Sequence, residues 1–355
     1  MSLEILTAGP MLTVQDAGRF GLRHMGVSPA GPIDRAAMAL ANALVGNDPG
    51  AAALEFAGPA GRFRCDRPVR FAVAGADCPL RIDARTVSPG ESHRLNPGET
   101  LTVGVPEGAV WAYLAFSGAI ASPEVLGSRA THLRSGVGGR ALGAGDRLPL
   151  GEDDPEAPCL RPGLRLEAAA PFRETGPIRL ILGPQDDHFA PEVIARLTGC
   201  DFTVTPQRDR MAMVLGGVEL PAERGHDIVS DGTVPGSVQV PGSGTPLVLL
   251  AESQTTGGYP KIGTVASVDL ARLAQMPVGA RFRFALISAR EGEDLWIARQ
   301  ARLRRLLEGL VARPEGLLRS DYLLSCDLVG GFYAPGEVVR PVTRPVTRPV
   351  PEERP

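Results

Sequence analysis

Glycine and proline divide most of this 355-residue chain into short apolar runs. The chain has 43 glycines and 33 prolines, and between them lie runs such as residues 69–74, 100–105 and 110–116. Short apolar runs that are bounded by turn-forming residues are typical of strands, because long helices do not tolerate so many breaks. The pattern therefore predicts a mainly β fold with a few helices.

Helical segments are few in this pattern. Residues 33–45 follow Pro32 and precede Gly46, and their apolar side chains recur on one helical face. Proline suits the first turn of a helix, and glycine suits the position just beyond its end. The sequence also predicts a short helix over residues 191–197 and an amphipathic helix over residues 291–311, whose arginines face solvent.

The length predicts two β-rich domains, because 355 residues and 37.3 kDa exceed one ordinary hydrophobic core. Residues 1–165 form the predicted N-terminal domain, which contains one helix, and residues 176–290 form the second domain. A C-terminal helix and extension follow at residues 291–335. Proline at every fourth position in the Arg-Pro-Val-Thr repeats indicates that residues 336–355 are a disordered, extended tail.

Composition argues against several classes of function. The net charge of −3 and the pI near 6.0 show no basic footprint, so a nucleic acid is not an expected partner. The five cysteines are scattered, the five histidines show no metal-ligand spacing, and there is no Walker P-loop. No secretory signal and no membrane-spanning run occur. We expect a cytoplasmic protein with no metal ligands among its site residues.

Lys261 is the single lysine among 37 cationic residues, and it lies in a glycine-rich polar run at residues 253–263. Lysine is a compact point charge, whereas arginine presents a wide planar fork, so a lone lysine indicates a need for a small cation. The alternative is that an arginine-biased sequence left one lysine by chance. The polar run follows an apolar strand at residues 246–251, and loops at strand ends often carry sites.

The neighbours of Lys261 suit an anion. Gly257 and Gly258 allow successive backbone N–H groups to converge on one ligand, because no Cβ interferes. Gln254, Thr255 and Thr256 add neutral hydrogen-bonding groups. The run therefore predicts a site that holds a phosphoryl or carboxylate oxygen.

Three further polar, glycine-bearing segments stand out, at residues 13–34, 126–136 and 183–189. Arg129 and Arg134 could clamp a carboxylate with two parallel hydrogen bonds, although Arg134 could equally pair with a surface carboxylate. Three carboxylates in these segments could hold magnesium or accept a proton: Asp16, Asp34 and Asp187. Their alternative roles are ordinary turns and, for Asp34, the start of a helix.

Read together, these segments resemble the family that contains the C-type subunit of 5-oxoprolinase, KipA and biotin-dependent carboxyltransferases, also called allophanate hydrolase subunit 2. The resemblance covers residues 3–286. It rests on Val14-Gln15-Asp16-Ala17-Gly18-Arg19, Leu126-Gly127-Ser128-Arg129, Arg134-Ser135-Gly136, Gly183-Pro184-Gln185 and, most specifically, Gln254-Thr255-Thr256-Gly257-Gly258-Tyr259-Pro260-Lys261-Ile262-Gly263. The sequence departs from the family pattern at Ala212, Met213, Glu252 and Gly242-Ser243, which leaves the choice of substrate open.

The resemblance implies a cyclophilin-like β-barrel in the C-terminal part and a function within a complex. In 5-oxoprolinase, a B-type (KipI-like) and a C-type subunit use ATP with Mg²⁺ to activate 5-oxoproline by phosphorylation, and an A-type (LamB/YcsF-like) subunit opens the ring. Two alternatives remain. One is carboxyl transfer from a partner's carboxybiotin, as in urea carboxylase, and the other is a non-catalytic regulator of the KipA type.

Candidate site residues follow from the matched motifs and from the reasoning on charge. Those expected to be catalytic are Lys261, Gln254, Thr255 and Thr256. Those expected to bind substrate are Arg129, Arg134, Gln15, Asp16, Gln185, Arg210, Gly257, Gly258 and Tyr259.

Overall fold

The computed structural model describes residues 1–152, 163–166 and 174–312. Two facing sheets form the N-terminal part. The first sheet contains β1 (Ser2–Ala8), β4 (Gly61–Cys65), β6 (Leu80–Ile82), β7 (Arg85–Val87), β9 (Leu101–Val103) and β11 (Arg147–Pro149), in the order β11-β1-β4-β9-β6-β7. The second contains β2 (Thr13–Gln15), β3 (Ala53–Ala57), β5 (Val69–Ala74), β8 (Ser92–Leu95) and β10 (Trp111–Phe116), in the order β2-β3-β10-β5-β8.

The central strands β5 and β10 are buried at every position, because both faces of the second sheet are covered. On one face, Phe71 and Leu114 pack in a common core with Phe63 of the first sheet. On the other face, Ala72 and Ala115 pack beneath helix α1 (Arg35–Leu44). Alanine on the helix-facing side lets the helix lie close to the strands without leaving cavities.

Helix α1 begins two residues later than predicted. The backbone N–H of Ile33 donates to Glu55 Oε2 at 2.8 Å, and that of Asp34 donates to the Tyr113 hydroxyl at 2.7 Å. These bonds hold the chain in a non-helical conformation until Asp34, whose side chain then accepts a hydrogen bond from Ala37 N at 3.2 Å. Asp34 is therefore the N-cap of α1.

An eight-stranded sheet forms the C-terminal part, and it confirms the predicted barrel and the mainly β class. Its strands are β13 (Ile178–Leu182), β14 (Phe202–Arg208), β15 (Ala212–Gly216), β17 (Ser237–Gln239), β18 (Leu247–Leu249), β20 (Lys261–Val265), β21 (Arg281–Phe282) and β22 (Phe284–Leu286). They lie in the order β21-β14-β15-β18-β17-β20-β13-β22. A two-stranded ribbon of β16 (Asp231–Gly232) and β19 (Thr256–Gly257) accompanies this sheet.

The barrel closes through a single bent stretch of chain. β21 and β22 are the two edges of the sheet, yet only Arg283 separates them in sequence. β21 pairs with β14, β22 pairs with β13, and Arg283 O accepts a hydrogen bond from Ile178 N at 2.8 Å. The stretch at residues 281–284 is thus divided between two partner strands, and both edges of the sheet are protected.

Three helices pack against the barrel, and the last of them also contacts α1 of the N-terminal part. They are α2 (Pro191–Gly199), α3 (Ser267–Ala274) and α4 (Ala289–Glu308). Among the helices described, none is both long and apolar enough to span a bilayer. The predicted amphipathic helix ends at Glu308 rather than at residue 311. Residues 310–312 instead form β23 (Leu310–Ala312), which pairs with β12 (Leu164–Leu166).

The predicted domain limits at residues 165, 176 and 290 stay predictions. Most of the predicted C-terminal extension, from residue 313, and the whole predicted tail lie outside the described residues.

A buried ion triad joins the two parts of the molecule. Arg210, of which 1% is exposed, forms ion pairs with Glu55 of the N-terminal sheets and with Glu252, whose Oε1 is 2.6 Å from Arg210 Nε. Its guanidinium also donates to Gly31 O at 2.6 Å. Burial raises the pKa of Tyr113 well above its usual value, so its hydroxyl stays protonated and donates to Glu55 Oε2 at 2.7 Å.

We expect Arg210→Met to lower the free energy of unfolding by about 3–5 kcal/mol, because it leaves two buried carboxylates without their counterion. Arg224→Met removes an exposed pair with Asp187 and should cost no more than about 1 kcal/mol. Urea denaturation followed by circular dichroism measures both. Equal denaturation midpoints for the two variants would contradict the structural role of the triad.

Candidate functional site

Lys261 is the first residue of β20, and only 2% of it is exposed. Its Nζ lies 2.8 Å from Asp231 Oδ2. Its backbone N–H donates to Gln185 Oε1 at 3.1 Å, and its carbonyl oxygen accepts from the backbone N–H of Gln185 at 3.1 Å. Gln185 completes the group, because its Nε2 donates to the same Asp231 oxygen at 3.1 Å. The loop after β13, the ribbon strand β16 and β20 thus converge at one point.

Asp231 was not among the residues singled out from the sequence. Its side chain is 49% exposed, in contrast to that of its lysine partner. The pKa of Asp231 is lowered to about 2 by hydrogen bonds from Lys261, from Gln185 and from the backbone of Gly232. The carboxylate is therefore ionised at neutral pH. No local pattern marks Asp231, because its partner Lys261 lies 30 positions away in sequence.

The polar run before Lys261 is held mainly through its main chain. Thr233 donates to two of its carbonyl oxygens, from its backbone N–H to Thr255 O at 3.0 Å and from its hydroxyl to Gln254 O. Thr256 and Gly257 form β19 and pair with β16. Gln254 and Thr256 are exposed and Thr255 is half-buried, so all three side chains remain accessible.

Gly257 is closely packed against two side chains. A Cβ at this position would lie 2.4 Å from Gln239 Nε2 and 3.2 Å from a Thr233 methyl carbon. The strand register places Gly257 opposite Asp231, beside the carboxylate that pairs with Lys261. Gly258 accepts a hydrogen bond from Ile228 N at 2.8 Å. The convergence of the Gly257 and Gly258 N–H groups on an anion stays a prediction. A contact between substrate and the exposed side chain of Tyr259 also stays a prediction.

Asp16 and Gln15 organise a second polar group in the N-terminal part. Asp16 accepts hydrogen bonds from the Ser128 hydroxyl and the Arg129 backbone, both at 2.6 Å, and from Gly18 N at 2.9 Å. Gln15 is fully buried and donates to Thr131 O at 2.9 Å. These contacts connect the two motifs at residues 14–19 and 126–131. Asp16 and Gln15 therefore shape the loop that presents Arg129.

The predicted carboxylate clamps have partners in the protein. The Arg129 guanidinium pairs with Glu124, and that of Arg134 pairs with Asp209 at 3.1 Å. Both arginine side chains are partly exposed, at 33% and 57%, so a ligand can reach them. Their substrate contacts stay predictions. Arg210 differs, because its buried guanidinium is engaged by the ion triad.

Glu252 connects the N-terminal polar segment at residues 126–136 with the polar run that leads to Lys261. Its Oε2 accepts a hydrogen bond from Leu133 N at 3.1 Å and lies 3.9 Å from His132 Nδ1. The polar run at residues 253–263 begins at the next residue. The departure from the family pattern at Glu252 therefore falls in the contact between the two parts of the molecule. Within the described ranges, no group of three or more His, Cys, Asp or Glu side chains is placed to hold a metal ion.

Replacing Lys261 with Met should raise the pKa of Asp231 from about 2 toward the ordinary aspartate value, because the hydrogen bond from Lys261 is the largest cause of the lowering. A carboxylate whose pKa is lowered on folding contributes stability above its unfolded pKa and loses that contribution as pH falls through the folded value. Carbon-detected NMR titration of Asp231 measures the shift. An unchanged pKa in Lys261→Met, with Arg224→Met as the control, would reject the ion pair.

Comparison with known proteins places this geometry in a family. The family model described as "Carboxyltransferase domain, subdomain A and B" matches residues 25–286. The C-type subunit of 5-oxoprolinase from Escherichia coli (strain K12) is 36% identical over 292 residues, which are 81% of this chain and 92% of that relative.

Solved structures show the same fold. The crystal structure of TTHA0988 matches with a TM-score of 0.72 and 37% identity over 80% of this chain, which spans 56% of the TTHA0988 chain. The Kluyveromyces lactis urea carboxylase matches with a TM-score of 0.76 and 26% identity over 86% of this chain and 29% of that one. The chain therefore belongs to the family of the carboxyltransferase domain, subdomain A and B, as its motifs predicted.

Proposed function

We propose that this chain is the C-type subunit of an ATP-dependent 5-oxoprolinase. With a B-type, KipI-like subunit it activates 5-oxoproline by phosphorylation, and an A-type, LamB/YcsF-like subunit then opens the ring. The E. coli relative, which is named as the C-type subunit of a 5-oxoprolinase, supports this proposal, because the two proteins align over 92% of that relative. The proposal places the complex in the cytoplasm.

One observation carries the proposal at the level of residues: two donors converge on a single oxygen. The ammonium of Lys261 and the side-chain amide of Gln185 lie 2.8 Å and 3.1 Å from Asp231 Oδ2. Donors with this arrangement suit an oxyanion, either a substrate carboxylate or the oxygen on which charge develops when a lactam is activated. They do not provide a carboxylate-rich metal site.

The remaining residues have supporting roles in this proposal. Gln254, Thr255 and Thr256 orient the substrate from the accessible side of the ribbon. Arg129 and Arg134 hold its carboxylate, exchanging their present carboxylate partners for the ligand. When bound in the assembled complex, ATP with Mg²⁺ supplies the phosphoryl group. Lys261 and Gln185 stabilise negative charge that develops beside them.

Carboxyl transfer is the second candidate function. The similarity to the Kluyveromyces lactis urea carboxylase, at 26% identity over 86% of this chain, favours it. The same two donors would hold the carboxylate of carboxybiotin. A partner would have to carry the biotin, because Lys261 lies between Pro260 and Ile262 rather than in a Met-Lys-Met biotinylation motif.

Reconstitution tests the main proposal. The full chain is mixed with its B-type and A-type partners, and ATP hydrolysis is measured with and without 5-oxoproline. We expect hydrolysis to depend on 5-oxoproline and to release glutamate. ATP hydrolysis that is indifferent to 5-oxoproline would reject this function, and a urea-dependent reaction with a biotin-carrying partner would establish the alternative.

Lys261→Met should lower the 5-oxoproline-dependent rate by a factor of about 10²–10³, because it removes one donor to developing negative charge. Lys261→Arg should also be impaired, because the wider guanidinium does not fit a position shaped for an ammonium. Arg224→Met, an exposed change on the same barrel, is the matched control. Full activity of both lysine variants would favour a non-catalytic, KipA-like regulator.

A further inference from the structure

We propose that Asp231 occupies the oxyanion position of the resting site, and that an anionic ligand reaches Lys261 by displacing this carboxylate. The inference rests on the proposed function, because it uses the same lysine. It adds a specificity determinant: the site accepts ligands that bring an oxyanion of their own.

The position of Asp231 is that of a bound ligand rather than of a core ion pair. Lys261 is only 2% exposed, whereas the Asp231 side chain is 49% exposed, so the carboxylate covers the ammonium from the solvent side. Both donors, Lys261 Nζ and Gln185 Nε2, converge on Asp231 Oδ2. The other oxygen, Oδ1, accepts only the backbone N–H of the adjacent Gly232 at 2.7 Å among its hydrogen bonds in the described structure. A substrate carboxylate or phosphoryl oxygen can make the same two contacts.

The two sides of the ion pair differ in how firmly they are held. Lys261 begins β20, a barrel strand that pairs with both β17 and β13. Asp231 lies in β16, a two-residue strand paired only with β19 among the described strands. Val229, two residues earlier, is 93% exposed. Displacement therefore moves the Asp231 segment and leaves the lysine in place.

Three hydrogen bonds mark the ends of the segment that has to move. At its start, Ile228 N donates to Gly258 O at 2.8 Å. At its end, Thr233 N donates to Thr255 O at 3.0 Å, and Thr233 O accepts from the guanidinium of Arg23, a residue of the N-terminal part. The mobile unit is residues 228–232. Arg23 holds its far end against the N-terminal part.

Charge makes displacement selective. A buried ammonium without a counterion is costly, so Lys261 requires an anion at every stage. An exposed carboxylate contributes little as its partner, so a better-placed anion can replace it. A neutral amide provides no counterion and would leave Asp231 in position. The exchange thus favours acidic substrates over neutral lactams of the same shape.

Binding to the purified full chain tests the proposal without ATP or partner subunits. Isothermal titration calorimetry with orthophosphate and, separately, with 5-oxoproline compares the natural protein with Asp231→Asn. We expect at least one of these anions to bind the variant about tenfold more tightly or better, equivalent to about 1.4 kcal/mol. The gain should disappear in the Lys261→Met/Asp231→Asn double variant.

The matched control is Asp201→Asn, which removes an aspartate of similar exposure from its pair with Arg283 elsewhere on the barrel. We expect no gain in affinity from this change. A gain for orthophosphate alone assigns the position to a phosphoryl group, and a gain for 5-oxoproline assigns it to the substrate carboxylate. No gain for either anion, or an equal gain in Asp201→Asn, overturns the proposal.

Hydrogen exchange of the natural protein gives an independent test that needs no variant. Saturation with the bound anion should speed exchange of the Ile228 backbone amide, because its bond to Gly258 O opens when the segment at residues 228–232 moves. The Thr233 amide, at the end that Arg23 holds, should keep its resting exchange rate. Unchanged or slower exchange at the Ile228 amide overturns displacement. If anions displace Asp231 while the reconstituted complex shows no 5-oxoproline-dependent ATP hydrolysis, the proposed function fails and the displacement stands.

Discussion

The buried triad of Glu55, Arg210 and Glu252 is the contact on which the relative placement of the two halves depends. Its three charged groups come from the N-terminal sheet and from two loops of the barrel, and all are almost completely buried. An ion pair in such surroundings adds little net stability but strongly penalises any arrangement that separates its members. The triad therefore specifies how the barrel packs against the N-terminal sheets more than it increases the free energy of unfolding.

The same contact determines where the polar loops lie. Glu55 also accepts hydrogen bonds from Ile33 and Tyr113, which hold the chain just before α1. Glu252 accepts from Leu133 and precedes the run that leads to Lys261. One set of carboxylates thus orients the start of a helix, an N-terminal loop and the loop of the barrel site. Flexible surface contacts could not couple these segments to the same geometry.

The lone lysine has a more specific environment than a free cation in a glycine-rich loop. It is a buried ammonium whose charge is balanced by an exposed carboxylate, with Gln185 bonded to both residues. A lysine suits this place because its ammonium is a compact point charge, which the wider guanidinium of arginine does not reproduce. Gly257, opposite Asp231 in the ribbon, leaves room for the Gln239 side chain, which occupies the space that a Cβ at residue 257 would take.

Local periodicity and turn-forming residues were enough to predict the β-rich class, three of the four α-helices described and the polar run that leads to Lys261, but not the helix α3. The motifs also predicted Gln185 as a site residue, which the structure places against Lys261. Three features emerged only from the folded chain: Asp231 covers the lysine, Arg210 lies between the two parts of the molecule, and β21 and β22 close the barrel. They depend on residues that are distant in sequence and on which groups are buried together, and no local pattern encodes either. The exact start of α1 and the end of α4 also depend on tertiary contacts, because Glu55 and Tyr113 bind the chain ahead of the first helix and β12 pairs with the chain after the last.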